Sequence, residues 1–308
     1  MLSRAANNLI WIERYMERGN GMLSLLRVNF SANQDSPELF SWSPIIKNYN
    51  ASETEFYTED AIECIEYLIF STENPNSILN LVTKARENAR SVQEHLSREI
   101  WLCINNYYLY LMQKDLIKKL KTEDPIVFLD DLKKFHLIYI GTMDITQERG
   151  PSYYFMNVGR FLERVIQISE FTAMKLIEVA KTSDSLEQSF YWKNLLLSVG
   201  GYQFYLKTYK SSFQENHVIQ MLFQDQLFPR SMYYCVNKLN RHIKQLIEIQ
   251  ELERNNTEFL LGKLESTIKY TTIESINQQG LNQFILGIKE DIKNISFSIN
   301  TVYFSHSN

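Results

Sequence analysis

The sequence predicts an all-α fold: a multi-helix bundle of about ten helices, with two pseudo-repeated halves sharing one core. Three features carry this expectation. The 308 residues include only 10 glycines and 6 prolines, too few for the turns of a β-rich chain. Apolar residues recur at steps of three and four over long stretches, the spacing of one helix face. No alternating apolar–polar run of useful length appears, so strands are not expected. At 44% hydrophobic and 22% charged residues, the chain can bury a core and does not read as disordered.

The first helix is the clearest. Leu2, Ala5, Leu9, Ile12, Met16, Gly19, Leu23 and Leu26 alternate in steps of three and four. That predicts a helix from Leu2 to about Phe30 with one narrow apolar stripe. Residues 31–44, with Ser, Asn, Asp and two prolines, read as a loop. Thr58 is the expected N-cap of a helix reaching about Phe70. Asn74-Pro75 is expected to open one very long helix to about Thr122, and Asp124-Pro125 the next. Gly150-Pro151 is the strongest central break, followed by a helix over about 152–181. Further helices are expected at about 187–199, 202–212, 214–224, 229–255, 257–271 and 280–304, with Gly200-Gly201 and Phe228-Pro229 between them. No linker is long or polar enough to part independent domains. Residues 1–308 therefore read as a single domain, with halves at about 1–150 and 151–308.

Charge and special residues narrow the function. A net charge of −4 argues against nucleic acid as a partner. Cys64, Cys103 and Cys235 are odd in number and widely spaced, so neither a disulfide framework nor a zinc site is expected. The N-terminus lacks the apolar run of a signal peptide, and no stretch approaches 18 apolar residues. No membrane segment is expected, and the protein reads as cytoplasmic. None of the five histidines has Glu three residues before it, as a ferritin-like di-metal site requires. There is no G-x-x-x-x-G-K-[ST]. No metal or cofactor is expected.

One charge motif occurs twice. Ile12-Glu13-Arg14-Tyr15-Met16-Glu17-Arg18 resembles Val158-Gly159-Arg160-Phe161-Leu162-Glu163-Arg164, 146 residues further on. The repeat suggests two related halves. Within each motif the arginines are four apart and share a helix face, with the glutamate three after the first. Met16 and Leu162 lie inside the motifs, so part of each charge cluster should reach the core edge. A buried arginine must be paired, and its planar fork suits a carboxylate or phosphate. Arg14, Arg18, Arg160 and Arg164 are therefore candidate anion ligands, with Glu17 and Glu163 orienting their forks. A structural ion-pair network between helices is the competing reading, and a solvated charged face a third.

Four segments carry a family resemblance: Met1-Leu2-Ser3-Arg4-Ala5-Ala6-Asn7-Asn8-Leu9 through Arg18; Ala85-Arg86-Glu87-Asn88-Ala89-Arg90-Ser91-Val92 with Glu94, Leu96, Ser97, Glu99 and Trp101; Thr142-Met143 with Gly159 to Arg164; and Asp225 to Met232. In this order they resemble the bacterial alpha-E domain family, an all-helical family with an E-R motif. Glu13 stands where that family usually has Gly. The resemblance implies an all-α fold and a partnership with circularly permuted ATP-grasp ligase-like proteins, with transglutaminase-like proteins nearby. Such a setting is amide-bond-forming or peptide-modifying. It also draws Arg86, Glu87, Arg90 and Arg230 toward the same network. As bare spacing, Arg86, Glu87 and Arg90 read as an ion-paired helix face, and Asp225 and Arg230 as the surroundings of a helix start at Pro229.

Three functions compete. The first is an accessory protein that binds the partner ligase, or a peptide or acyl-phosphate that the ligase makes. The second is an enzyme of amide or acyl transfer with Glu17 or Glu163 as general base. The third is a scaffold whose E-R motifs lock helix register.

Overall fold

The computed structural model describes residues 2–51, 55–210, 212–250 and 256–304. Among these there are fifteen α-helices, two short 3-10 turns and no strand. They are α1 (Ser3–Asp35), α2 (Ser43–Tyr49), α3 (Ala61–Phe70), α4 (Ile78–Ser91), α5 (Arg98–Leu111), α6 (Leu116–Thr122), α7 (Pro125–Thr146), α8 (Pro151–Val179), α9 (Ser185–Ser198), α10 (Tyr202–Tyr209), α11 (Glu215–Gln224), α12 (Met232–Gln250), α13 (Asn256–Tyr270), α14 (Ile273–Gln279) and α15 (Leu281–Phe304). The all-α expectation holds, but the count of about ten does not. None of these helices is long and apolar enough to cross a membrane.

The extra helices come from local caps and short amphipathic turns. The run expected from Asn74 to Thr122 is three helices. Ser97 interrupts it: its hydroxyl accepts the Ile100 amide at 3.3 Å, a competing N-terminus inside the apolar stripe. Gln147 reinforces that break from a distance, accepting from the Ser97 amide at 3.1 Å and donating to the His95 carbonyl at 3.1 Å. Helix α2 begins inside the stretch that reads as a loop in the sequence, with Pro44 in its first turn. Helix α14 is cut from α15 by Gly280, at φ 87°, a backbone state that favours glycine. Gly200 does the same between α9 and α10, at φ 71°. The cap of α3 is Asp60, whose carboxylate accepts from the Glu63 amide at 2.8 Å. Thr58 instead holds the Asp60 amide. Helix α12 begins after Pro229, where the Ser231 hydroxyl accepts the Tyr234 amide. Asp124 caps α7 with Pro125 at its first position, and Pro151 opens α8, both as expected. The last residues expected in the 229–255 helix lie outside the described residues.

The chain divides into two compact units, one of residues 11–148 and the other of residues 1–10 with 149–308. In the first unit, α5 packs on α4 and α7, and α3 on α4 and α6. Its core includes Ile12, Met16, Leu23, Leu81, Ala85, Ile104, Leu132 and Met143, all buried. In the second, α8, α12, α13 and α15 form a closed ring of four, each packed on the next. Leu162, Val165, Ile243, Leu246, Leu264, Ile292 and Ile299 are among the buried residues of that ring.

Gly159, in the second motif, lets two helices of this unit approach closely. A Cβ there would lie 2.2 Å from the Ile10 carbonyl oxygen of α1. Alanine gains about 1 kcal/mol of helix propensity, but a clash with backbone cannot be relieved by a rotamer. Gly159→Ala is expected to lose about 1–3 kcal/mol net, read as a lowered urea midpoint.

Candidate functional site

The first motif lies in the 11–148 unit, on α1. Glu13 and Glu17, one turn apart, have no exposed surface. The hydroxyl of Tyr139 on α7 donates to Glu13 Oε1. His136, three residues earlier on α7, brings Nε2 to 3.8 Å from Glu17 Oε2. Spacing of four on one helix and three on the other sets two carboxyl groups against a phenol and an imidazole.

The arginines of this motif lie further out. Arg14 and Arg18 are both half-buried. The Arg14 guanidinium lies 4.3 Å from the centre of the Trp11 ring, within cation–π range. Arg18 Nη1 donates to Asn76 Oδ1 at 3.2 Å, just ahead of α4. Lys84 comes from α4 to lie 5.8 Å from the Tyr15 ring centre and donates to the Pro75 carbonyl at 2.9 Å. Burial, and then the charge of Arg18, holds the Lys84 ammonium below the ordinary lysine value. Two cation–ring pairs, Arg14 with Trp11 and Lys84 with Tyr15, thus lie along this part of α1.

Arg86 belongs to another face of α4. Its Nε donates to Asn105 Oδ1 of α5 at 2.8 Å, and its Nη1 pairs with Glu87 at 3.0 Å. The guanidinium lies 4.5 Å from the Tyr108 ring centre. Lys84 faces α1 and Arg86, two residues on, faces α5, as helical geometry requires. Glu87 and Arg90 are exposed.

The second motif lies on α8 in the other unit. Arg160 and Glu163 are buried and Arg164 is half-buried, its guanidinium 5.5 Å from the Phe161 ring centre. On α12, His242 stacks on Phe161 with centroids 5.8 Å apart and planes 13° from parallel. Tyr153 and Tyr154 close around the same imidazole at 5.9 and 5.8 Å. Burial first, then the charges of Lys238, Arg160 and Arg241, push the His242 pKa down to about 4.

The fourth signature is a capped turn. Asp225 Oδ1 accepts from the Leu227 and Phe228 amides, both at 2.8 Å, and Arg230 is half-buried after the exposed Pro229. The four motif arginines are thus described as two pairs, Arg14 with Arg18 in one unit and Arg160 with Arg164 in the other. The 11–148 unit also has an open cleft of about 570 Å³ between α3 and α6. Phe56, Glu66, Tyr67, Phe70 and Lys121 are among its lining residues, none of them from the motifs. The chemistry of the arginines, not that depression, marks the candidate site.

Glu13, His136, Tyr139 and His242 were not among the residues expected at a site. A signal for two of them exists. His136 and Tyr139 occupy a helical stripe with Leu132 and Met143, all buried, and a polar group within an apolar stripe calls for a buried partner.

A family model described as a predicted alpha-helical domain with a conserved ER motif, Alpha-E, matches residues 1–304. The chain belongs to the Alpha-E family. No curated protein and no solved structure matches the chain.

Two outcomes follow from this geometry. Tyr139→Phe removes a donor from the buried Glu13 carboxyl and should cost about 1.5–3 kcal/mol, read by urea unfolding. His242 binds protons less readily folded than at the ordinary value of 6.5. Between pH 6.5 and about 4 the unfolded chain takes up more protons, so stability falls as pH is lowered through that window. His242→Gln should flatten the decline, measured as urea midpoints across the same range.

Proposed function

We propose that this Alpha-E domain is an accessory binding protein of a bacterial, cytoplasmic, peptide-modifying system. Its E-R arginines take a carboxylate or phosphate group, presented by a peptide or acyl-phosphate or by a circularly permuted ATP-grasp ligase-like partner. The observation that carries this reading is a division between the glutamates and three of the four arginines, Arg160 alone being buried with its glutamate. Glu17 and Glu163 are at 0% and 1% exposure, whereas Arg14, Arg18 and Arg164 keep part of their surface. A carboxylate beneath an arginine fixes its fork, and the fork then presents its remaining donors outward to an oxyanion. The two motifs act in this proposal as equivalent stations of a duplicated helical unit.

The same burial counts against glutamate as general base. Such a group must come within about 3 Å of the proton it removes, and neither carboxyl offers that access in this conformation. A structural share for the first motif is favoured by one specific observation. Tyr139 and His136 engage Glu13 and Glu17 from α7, which pins α1 to α7 whatever the arginines bind.

Calorimetry with inorganic phosphate and with succinate tests the reading. Arg18→Gln and Arg164→Gln should each weaken anion binding about tenfold, the loss of one charge-assisted contact of ~1.4 kcal/mol, with circular dichroism unchanged. Binding that is absent, or indifferent to both substitutions, would leave the motifs as scaffold alone.

A further inference from the structure

Beside the second motif, α8 and α12 carry a strip of alternating cations and rings that extends past the E-R residues. From α8 come Tyr153, Tyr154, Arg160, Phe161 and Arg164, and from α12 come Tyr234, Lys238, Arg241 and His242. The helices run antiparallel here, because Tyr154 meets Gln245 while Phe161 meets both His242 and Tyr234. Arg149, just before α8, lies 4.1 Å from the Tyr153 ring centre, and Lys238 lies 5.3 Å from that of Tyr234. Arg149 and Arg241 are exposed; Arg164 and Lys238 are half-buried. Glu248, hydrogen-bonded to Gln245, falls at the Tyr154 end of the strip.

We propose that this strip is a docking groove for an extended acidic peptide segment, recognised by its row of carboxylates. The proposal rests on the anion-binding reading of the motifs and assigns the ligand class. Length is the first argument. Tyr153 to Arg164 covers eleven residues of helix, about 16 Å. A single phosphate touches one point of such a row, whereas an extended chain at about 3.3 Å per residue crosses it with five or six residues. Charge complementarity is the second. Lys238, the buried Arg160 and Arg241 set up a positive field at His242 in a chain whose net charge is −4, and such a field selects anionic partners.

The rings decide between polyanions. Single-stranded nucleic acid binds through bases stacked on open aromatic faces. Here Tyr153 and Tyr234 each carry a cation, and Phe161 carries both Arg164 and His242. The rings serve as backing for the cations, which suits a ligand that brings carboxylates and no bases. His242, with its pKa held down to about 4 partly by Lys238, Arg160 and Arg241, is a built-in reporter. A bound polyanion offsets those charges and raises its proton affinity.

The experiment follows the His242 imidazole by NMR over a pH titration of the full chain, with and without hexaglutamate at low salt. Calorimetry runs alongside, and Lys238→Gln/Arg241→Gln is the control variant. Hexaglutamate is expected to raise the His242 midpoint, and at neutral pH to bind at least tenfold more weakly to the variant. An unmoved midpoint, or equal binding to the variant, overturns the groove. So does displacement of hexaglutamate by a stoichiometric uridine hexanucleotide, which would assign the strip to nucleic acid. Phosphate binding that depends on Arg18 and Arg164, with no hexaglutamate binding, overturns the groove and leaves the proposed function standing. Hexaglutamate binding lost only with Lys238 and Arg241 overturns the motif reading and keeps the groove.

Discussion

Two carboxyl groups on adjacent turns of α1, Glu13 and Glu17, are removed completely from water. Leaving such groups without partners costs several kcal/mol each, so the surrounding fold has to supply donors at defined places. Tyr139 does so for Glu13 from α7, and His136 brings its imidazole to 3.8 Å from Glu17, their spacing of three matching the spacing of four across the interface. A slide of either helix by one turn would bring Leu132 or Met143 against a carboxyl. The pairing therefore sets the register of α1 on α7 more tightly than apolar packing does, because apolar side chains exchange partners at little cost. Arg14 and Arg18 take their positions from that register.

The same logic explains why the two motifs differ at one position. In the first, Glu13 occupies the place that Gly159 holds in the second. Gly159 sits where a backbone carbonyl of α1 comes within contact distance of α8, and no side chain fits. Glu13 has a phenol to meet instead. Identical arginine spacing is thus carried by two solutions, one packing helix backbone on helix and the other filling the space with a hydrogen-bonded acid. What the motifs share is the depth of the glutamate before the last arginine, Glu17 or Glu163, rather than the contacts around it.

Much of the fold is legible in the sequence because helix ends are local. Pro125 and Pro151 open α7 and α8 where single residues dictate it, and Gly200 parts α9 from α10. The break between α4 and α5 is different. Ser97 alone is a weak signal in an apolar stripe, and its helix start is completed by Gln147, fifty residues away. The site divides in the same way. The arginines and glutamates of the motifs stand out as a repeated pattern on one helix each. Their partners do not, because Tyr139, His136 and His242 are matched to them only through the packing of separate helices. Glu13 was legible as a departure from the family pattern, but its reason lay on α7.

Net charge describes the chain as a whole and not any one face of it. At −4 for the whole chain, it argues against nucleic acid as partner, and it averages over 32 basic and 36 acidic side chains. What a ligand meets is the field of the nearest few, since screening removes charges beyond about 10 Å. Around His242 those are Lys238, Arg160 and Arg241. An imidazole enclosed by Tyr153, Tyr154 and Phe161 and facing three cations is held neutral, so it adds a flat polar surface without adding to the repulsion. For the proposed acidic peptide, affinity would then follow the number of cations it spans rather than the area it covers.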